Sequence, residues 1–170
     1  MGLYIYNYWH KKINTNFNLI ELGPGRGILI SDILRITKSF NLFHNLMKIN
    51  LIEINKKLIE LQKKNLNKIN FNLKKIIWHG NFKTISSEPS IIFANEFFDC
   101  FPIKQFIKIN NLWNEKKINY NKKEGRLFIY NTVVSNATLI SKLKNYAIKH
   151  DYKNNQIIEI SPEREIYFDK

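Results

Sequence analysis

The stretch from Leu19 to Arg35 reads LIELGPGRGILISDILR and predicts a β-strand, a glycine-rich turn and an α-helix in immediate succession. The apolar run Phe17 to Leu22 ends at the turn, and a helical pattern of apolar residues begins at Ile28. Glycines in such a turn permit positive φ angles and remove the Cβ atoms that would collide with a ligand. The N–H groups at the start of the helix then face that ligand. The stretch therefore indicates a turn that can approach a nucleotide-like molecule closely.

The three glycines of the turn stand at alternate positions, in the pattern G-x-G-x-G at Gly23, Gly25 and Gly27. This spacing differs from the G-x-G-x-x-G dinucleotide fingerprint, and the turn lacks the Gly-Lys-Ser/Thr ending of a P-loop. With Glu21 just before it, the turn looks like the first motif of S-adenosylmethionine (SAM) methyltransferases. We therefore expect Glu21 and the three glycines to bind that cofactor; an ordinary βα turn is the alternative. Arg26 has either a ligand carboxylate or a nearby acidic side chain as its expected partner.

Strands and helices alternate as far as Cys100, which predicts right-handed βαβ units and a parallel sheet. Ligands bind at the carboxyl ends of the strands in such sheets, and the polar motifs of this chain fall at those ends. The nearly continuous apolar character of the fourth strand favours a strand covered on both faces. The predicted strands are Phe17 to Leu22, Met47 to Ile54, Lys75 to Trp78 and Ser90 to Ala94. The predicted helices are Tyr4 to Lys12, Ile28 to Phe40 and a segment capped at its start by Asn55.

The pattern changes after Pro102, where short alternating segments separated by turn residues predict an antiparallel meander. Its strands are Gln105 to Ile109, Trp113 to Tyr120 and Arg126 to Tyr130. A helix over Ala137 to Lys149, a strand over Gln156 to Ile160 and a helix start at Ser161-Pro162-Glu163 follow. We expect a single partial domain over 1–170, with a SAM-binding βαβ core at 15–102 and the meander as an insertion at 103–135. The last helix, only begun, indicates missing sequence.

Polar residues also follow the second and third predicted strands. Glu53 ends the second strand, where an acid can accept hydrogen bonds from both hydroxyl groups of a bound ribose. Asn81 follows the third strand and is expected to bond the edge of the adenine ring. The alternatives are a solvated acid at Glu53, a core position for Trp78 and a His79 satisfied by the protein itself. No second His stands at metal-ligand spacing, so we expect no zinc site.

The segment NEFFDC, Asn95 to Cys100, follows the fourth strand, where the methyl group meets its acceptor in such sheets. Asn95 offers a carbonyl oxygen beside a sulfonium. Glu96 and Asp99 are three residues apart, so a helical turn would place them on one face, where two carboxylates can clamp a guanidinium or ammonium group. They would also orient the acceptor nitrogen and draw off its proton. In the alternative, Asn95 and Asp99 cap a short helix with core phenylalanines.

The composition excludes several classes of protein. A chain of 170 residues with 44% hydrophobic residues forms a real core, and no run approaches the roughly 20 apolar residues of a membrane span. The single cysteine, Cys100, excludes an internal disulfide and fits a reducing compartment. The net charge of +13 invites a nucleic-acid interpretation. Only four of the 27 basic residues are arginines, however, so we attribute the charge to A/T-rich codons and expect no nucleic-acid partner.

Several motifs together resemble the MidA family of SAM-dependent methyltransferases. They extend over nearly the whole chain, from about Asn18 to Pro162. The segment after the fourth strand is far more particular to that family than the glycine turn. The matching motifs are ELGPGRG-x-L-x-x-DILR from Glu21, LIEIN-x-KLIE-x-Q from Leu51, Trp78-His79, FANEFFDC-x-P-x-x-QF from Phe93, Trp113-x-Glu115 and Glu159-Ile160-Ser161-Pro162.

The resemblance implies an α/β, Rossmann-like class I SAM-dependent methyltransferase fold with an antiparallel β insertion. It also implies SAM binding at Glu21 to Gly27 and Glu53, and methyl transfer to a protein substrate. The family includes the mitochondrial assembly factor of respiratory complex I, whose acceptor is an arginine of a complex I subunit. Family members are considerably longer, so we expect a chain truncated at both ends and an incomplete sheet with an open edge. Gly80-Asn81 departs from the family, which has an acid-containing pair there.

The leading interpretation is therefore a protein (arginine) methyltransferase related to complex I assembly, in the bacterial cytoplasm or, alternatively, the mitochondrial matrix. A truncated non-catalytic remnant or partner-binding fragment of the same fold is the first alternative, and it predicts no affinity for SAM. A nucleic-acid methyltransferase or binder is the second, because Asn95-Glu96-Phe97-Phe98 loosely resembles the Asn/Asp-Pro-Pro-aromatic motif of base methyltransferases. Glu96 replaces the first proline of that motif. The oligomeric state stays open.

Overall fold

The computed structural model describes residues 1–162 and residue 164, and it divides into two compact units, Met1–Cys100 and the residues from Phe101 onward. The first unit contains a parallel sheet with the strand order β3-β2-β1-β4. The predicted α/β fold with a parallel sheet is confirmed. The strands are β1 (Phe17–Leu22), β2 (Met47–Ile52), β3 (Ile76–His79) and β4 (Ser90–Ala94). The helices are α1 (Gly2–Lys12), α2 (Ile28–Ile36), α3 (Asn41–Leu46) and α4 (Lys56–Lys68).

All four helices of the first unit bury apolar side chains against one face of the parallel sheet. Alternate residues of β1 and β2 form this face, as the period of two along a strand requires. The other face carries Ile20, Leu22 and Ile52, and aromatic side chains from the loops after β3 and β4 cover it. The helix-side core consists of Ile5, Trp9, Phe17, Leu19, Ile30, Ile33, Leu34, Phe43, Met47, Ile49, Leu51, Leu66 and Ile76.

Two local predictions in this unit are wrong. The helix predicted to reach Phe40 ends at Ile36, because Thr37 turns its hydroxyl back to the carbonyl of Ile33 (2.8 Å) and the backbone leaves the helical region after it. A separate helix, α3, then carries the fully buried Phe43 to the ring of Trp9, at 5.3 Å between centroids. The fourth strand is not covered on both faces. It lies at the edge of the sheet, and its central Ile92 is 50% exposed.

The second unit contains an antiparallel sheet with the strand order β7-β6-β5-β8. The predicted meander is confirmed, and the predicted final strand joins it beside its first strand. One helix packs on this sheet, where Leu143 meets Phe106, Trp113, Ile158 and Ile160. Ser161 accepts a hydrogen bond from the N–H of Arg164 (3.3 Å), as expected of a cap, whereas Glu163 lies outside the described residues. The elements are β5 (Lys104–Ile109), β6 (Leu112–Asn121), β7 (Arg126–Val133), α5 (Ala137–Lys149) and β8 (Ile157–Ile160).

Ile33 lies in the middle of α2 and is 1% exposed in the core of the first unit, so shortening its side chain should lower the stability of the fold strongly. We expect Ile33→Ala to lower the free energy of unfolding by about 2–5 kcal/mol, because the side chain leaves a cavity under the sheet. Ile36→Ala is the matched control. It removes the same atoms from the same helix at a side chain that is 46% exposed, and we expect a change within about 0.5 kcal/mol. Equal losses in chemical denaturation would contradict the packing described.

Candidate functional site

The glycine turn lies at the carboxyl end of β1, and its three glycines all have left-handed backbone angles. Their φ values are 60° at Gly23, 54° at Gly25 and 72° at Gly27, a region that other residues occupy at a cost. Two of them are also tightly packed. A Cβ atom on Gly23 would lie 2.5 Å from the ring of Phe97, and one on Gly27 would lie 3.0 Å from Cγ of Gln62. The chain therefore reverses between β1 and α2 in a space where a side chain at Gly23 would collide with Phe97 and one at Gly27 would displace Gln62.

Gly25 differs from the other two glycines because a Cβ atom there would meet nothing within 4 Å. It borders a cavity of about 400 Å³ inside the first unit. That volume falls in the range usual for small-molecule sites, roughly 300–1,000 Å³. The missing side chain of Gly25 thus leaves room for a ligand against the backbone. The cavity is lined by Glu21, Gly23, Pro24, Gly25, Arg26, Ile28, Leu29, Asp32 and Asn95.

Glu21 is the buried charge of this cavity. It lies on β1 and is 2% exposed, and its Oε2 atom has no hydrogen-bond partner among the described residues. Burial raises the pKa of Glu21 to about 7, because the carboxylate loses its hydration. An unpaired acid of this kind is costly to hold in a folded protein. Acids whose pKa is shifted by burial are concentrated at functional sites.

Two side chains of helix α4 hold the turn by hydrogen bonds to its carbonyl groups. The amide Nε2 of Gln62 donates to the carbonyl of Gly25 (2.8 Å), and Nδ2 of Asn65 donates to the carbonyl of Arg26 (2.9 Å). The Oε1 atom of Gln62 accepts a hydrogen bond from Nε1 of Trp78 (2.8 Å), on β3. Sequence reasoning gave Gln62 no role, although it ends the matching motif LIEIN-x-KLIE-x-Q. A polar residue spaced along the helix with Leu58 and Leu66 was the available signal.

Glu53 follows β2 directly and is oriented by the backbone around it. Its N–H donates to the carbonyl of His79 (3.0 Å), and its Oε1 accepts from the N–H of Asn55 (2.9 Å). The side chain of Asn55 caps α4, as predicted, by accepting from Lys57 and Leu58. Glu53 is partly exposed and does not line the 400 Å³ cavity. The carboxylate is thus fixed at the strand end with its second oxygen free of any partner in the described chain.

The loop after β3 is held mainly by its own polar contacts. Asn81 is exposed, and its side-chain oxygen accepts from the N–H of Lys83 (2.9 Å), so it caps the short turn that follows. His79 is buried between Thr84, at 2.6 Å from Nδ1, and Asn50, at 2.9 Å from Nε2. Burial lowers the pKa of His79, which favours the neutral ring. His79 is therefore satisfied by the protein, whereas the amide nitrogen of Asn81 has no partner among the described residues.

The segment after β4 contributes unequally to the cavity. Asn95 lines it, whereas Glu96 and Asp99 are exposed and do not. Glu96 has a left-handed φ of 53°, and the short helical turn begins only at Phe98. The helical turn that would place the two carboxylates on one face is therefore not formed. Left-handed backbone at a residue other than glycine costs roughly 1–3 kcal/mol and is concentrated at functional sites.

Other kinds of site are not found in the described part of the chain. No group of three His, Cys, Asp or Glu residues among residues 1–162 and 164 is arranged to hold a metal ion. No described helix is long and apolar enough to cross a membrane. Arg26 is exposed, and the described residues include no ion pair between it and Glu21 or Glu96. The arrangement can thus hold a partly cationic small molecule by shape, hydrogen bonds and one buried carboxylate.

Comparison with known proteins finds relatives along most of the chain. The protein arginine methyltransferase NDUFAF7 of Rattus norvegicus, a mitochondrial protein, is 30% identical over 138 residues, which cover 68% of this chain and 31% of that protein. The NDUFAF7 homolog of Caenorhabditis elegans is 30% identical over 149 residues, covering 76% of this chain and 34% of that protein. The chain thus spans about a third of the length of the curated relatives it matches.

Solved structures agree with the fold. A COG1565 superfamily protein of Burkholderia thailandensis with bound S-adenosyl-homocysteine superposes with a TM-score of 0.65 at 15% identity, over 84% of this chain and 35% of that one. The predicted Rossmann-like methyltransferase fold is confirmed by this match. All of residues 1–170 match the family described as "Putative S-adenosyl-L-methionine-dependent methyltransferase". The chain belongs to that family, as its resemblance to the MidA methyltransferases predicted.

Proposed function

We propose that this chain binds SAM in the glycine-turn cavity and forms the cofactor-binding part of a protein arginine methyltransferase. One observation carries the proposal. Gly25 leaves a ligand-sized space open against the backbone, and that space is lined by the buried, unpaired carboxyl of Glu21. A cation in the cavity would lower the energy of the ionised carboxylate. SAM carries both a sulfonium and an ammonium group, so the carboxylate of Glu21 in the cavity lining would stabilise its positive charge.

The remaining polar groups fit the other parts of the cofactor. Free N–H groups at the start of α2, next to Gly27, suit a carboxylate. The second oxygen of Glu53 is available for ribose hydroxyls, and the amide nitrogen of Asn81 for an adenine edge. When bound, SAM supplies an electrophilic methyl group. The methyl end belongs near Asn95, because this residue lines the same cavity from the end of β4.

The acceptor is an arginine side chain in this proposal. Glu96 and Asp99 follow Asn95 directly and are exposed, so an incoming protein segment can reach both carboxylates. Carboxylates bind guanidinium groups through charge-assisted hydrogen bonds and hold the attacking nitrogen in place. The names of the relatives, protein arginine methyltransferases, support this substrate class. The MidA resemblance makes a complex I subunit the first acceptor to test. The compartment stays a prediction, either a bacterial cytoplasm or a mitochondrial matrix.

The cofactor site is tested by filling the space at Gly25. We expect Gly25→Val to weaken binding of S-adenosyl-homocysteine roughly 10-fold or more in calorimetric titration, because the new side chain occupies the ligand space. Gly125→Val is the matched control. Gly125 has a similar φ of 65° and lies in the second unit, so it adds the same backbone strain away from the cavity. Equal affinity in Gly25→Val and the unaltered chain would remove the proposed site.

The raised pKa of Glu21, about 7, predicts that cofactor binding depends on pH. Below pH 7 the carboxyl is mostly protonated and cannot attract a cation. Affinity for SAM should therefore rise about tenfold between about pH 6 and about pH 8, with a proton released on binding. Glu21→Gln should show weaker binding without this rise. An unchanged pH profile in Glu21→Gln would show that another group titrates.

The carboxyl of Glu21 also makes the stability of the ligand-free chain depend on pH. The pKa of Glu21 is raised in the folded chain, so its contribution to the free energy of unfolding is fully present below the unfolded pKa of 4.5. That contribution is lost as the pH rises through about 7. The free energy of unfolding of the unaltered chain relative to Glu21→Gln should fall in that window. Urea titrations at several pH values measure this difference directly.

If Glu96 and Asp99 bind the acceptor arginine, replacing them should reduce methyl transfer and leave cofactor binding unchanged. We expect Glu96→Gln and Asp99→Asn to keep the affinity for S-adenosyl-homocysteine while lowering methyl transfer from labelled SAM to arginine-containing peptides. Transfer should fall roughly 100-fold, in the range usual for lost proton-transfer and positioning groups. Lys83→Gln, an exposed change on the neighbouring loop, is the control. Cofactor binding without any transfer by the unaltered chain would favour the non-catalytic alternative.

A further inference from the structure

We infer that Gln62 is a positioning residue for the cofactor, and that Trp78 acts through it by fixing the direction of its amide. This inference rests on the proposed function. Gln62 is fully buried on α4, and both ends of its amide are engaged, one by the carbonyl of Gly25 and one by the indole of Trp78. These two hydrogen bonds fix the face of the turn that lines the cavity.

The indole of Trp78 determines which end of the amide faces the turn. An indole N–H can only donate a hydrogen bond, so it requires the oxygen of the Gln62 amide at 2.8 Å. The NH2 group must then point the other way, to the carbonyl of Gly25, which can only accept, at 2.8 Å. The reversed amide would face two donors together at one end and two acceptors at the other. Trp78 thus selects one of the two amide orientations.

The orientation of Gln62 in turn fixes one peptide group of the turn. The carbonyl of Gly25 and the N–H of Arg26 belong to the same planar trans peptide and point in opposite directions. Because Gln62 holds this carbonyl toward α4, the N–H of Arg26 points away from α4. Gly25 and Arg26 both line the cavity. A donor held in advance in one direction binds a ligand without the cost of ordering the loop.

Asn65 extends the same arrangement one helical turn further along α4. It holds the carbonyl of Arg26 at 2.9 Å, and the next peptide N–H, that of Gly27, donates to Pro24 at 2.8 Å. Asn65 is partly exposed, however, so water can replace its contact. Gln62 is the member of the pair that water cannot replace. The cofactor should therefore depend on Gln62 more strongly than on Asn65.

Three substitutions test separately the hydrogen bond from Trp78 to Gln62 and the hydrogen bond from Gln62 to Gly25, which together we call the relay. Gln62→Leu removes both hydrogen bonds. Gln62→Glu keeps an acceptor for the indole and loses the donor to Gly25. Trp78→Phe keeps an aromatic ring but loses the indole N–H together with part of the ring system. Calorimetric titration with S-adenosyl-homocysteine should show affinities reduced roughly 10-fold in the two Gln62 variants and less in Trp78→Phe.

The decisive comparison is a double-mutant cycle. If Trp78 acts through Gln62, then Trp78→Phe has no further effect on affinity in the Gln62→Leu background. Additive losses would mean that Trp78 contacts the cofactor independently, and would overturn the relay. Leu66→Val is the control for stability, since it alters a fully buried side chain one turn further along α4. A merely structural role for Gln62 predicts that Leu66→Val loses as much affinity as a Gln62 variant of equal stability.

A second readout needs no ligand and separates failure of the relay from failure of the proposed function. In nuclear magnetic resonance spectra, the indole N–H signal of Trp78 should move to the range of an unbonded indole in Gln62→Leu and stay in the range of a hydrogen-bonded indole in Gln62→Glu. The backbone signals of Arg26 and Gly27 should shift in Trp78→Phe. Unmoved turn signals overturn the relay, whether or not the chain binds the cofactor. Moved turn signals without any cofactor binding by the unaltered chain support the relay and overturn the proposed function.

Discussion

The first unit depends on one reversal of the chain, the glycine turn between β1 and α2. Three left-handed positions within five residues direct the backbone into the helix, and the turn is packed between Phe97 on one side and Gln62 on the other. This fit leaves little freedom for the peptide groups inside the turn. The hydrogen bonds from α4 reduce it further. Packing disfavours a side chain at the two ends of the turn, whereas in the middle, at Gly25, only the left-handed backbone does so and the space is open.

The floor and the rim of the cavity differ in how firmly the surrounding structure constrains them. Its floor is rigid, since β1 and β2 are almost completely buried and the helices cover one whole face of the sheet. Its rim at the end of β4 is less constrained, because among the described residues this strand pairs only with β1 and the next two residues, Asn95 and Glu96, are exposed. The constraint on the cavity therefore decreases from its floor to this rim.

The sequence allowed the elements with clear local signals to be predicted. The bounds of β1, β4 and α5 agree with the prediction residue by residue, because each is an apolar or amphipathic run between turn residues. The short α3 was missed, since its apolar residues continue the pattern of the preceding helix after a break that no glycine or proline marks. The left-handed φ of Glu96 has no sequence signature.

Within the site, too, residues with a local sequence signal were predicted and residues with distant partners were not. The glycine turn and its acid were visible in one stretch of sequence. The role of Gln62 was not, because it depends on contacts with Gly25 and Trp78, which are distant in the chain and meet only through the sheet. The adenine contact of Asn81 was predicted from its place after the third strand, and its capping contact with Lys83 was not predicted. Residues whose partners are distant are found by structure alone.

The central claim is that the glycine-turn cavity holds the cofactor, and a crystal structure of the chain with S-adenosyl-homocysteine tests it most directly. The account predicts the ligand against Gly25, with a hydrogen bond from the N–H of Arg26 and with its ribose at Glu53. Ligand density elsewhere on the chain, with the cavity beside Glu21 left to solvent, would contradict it.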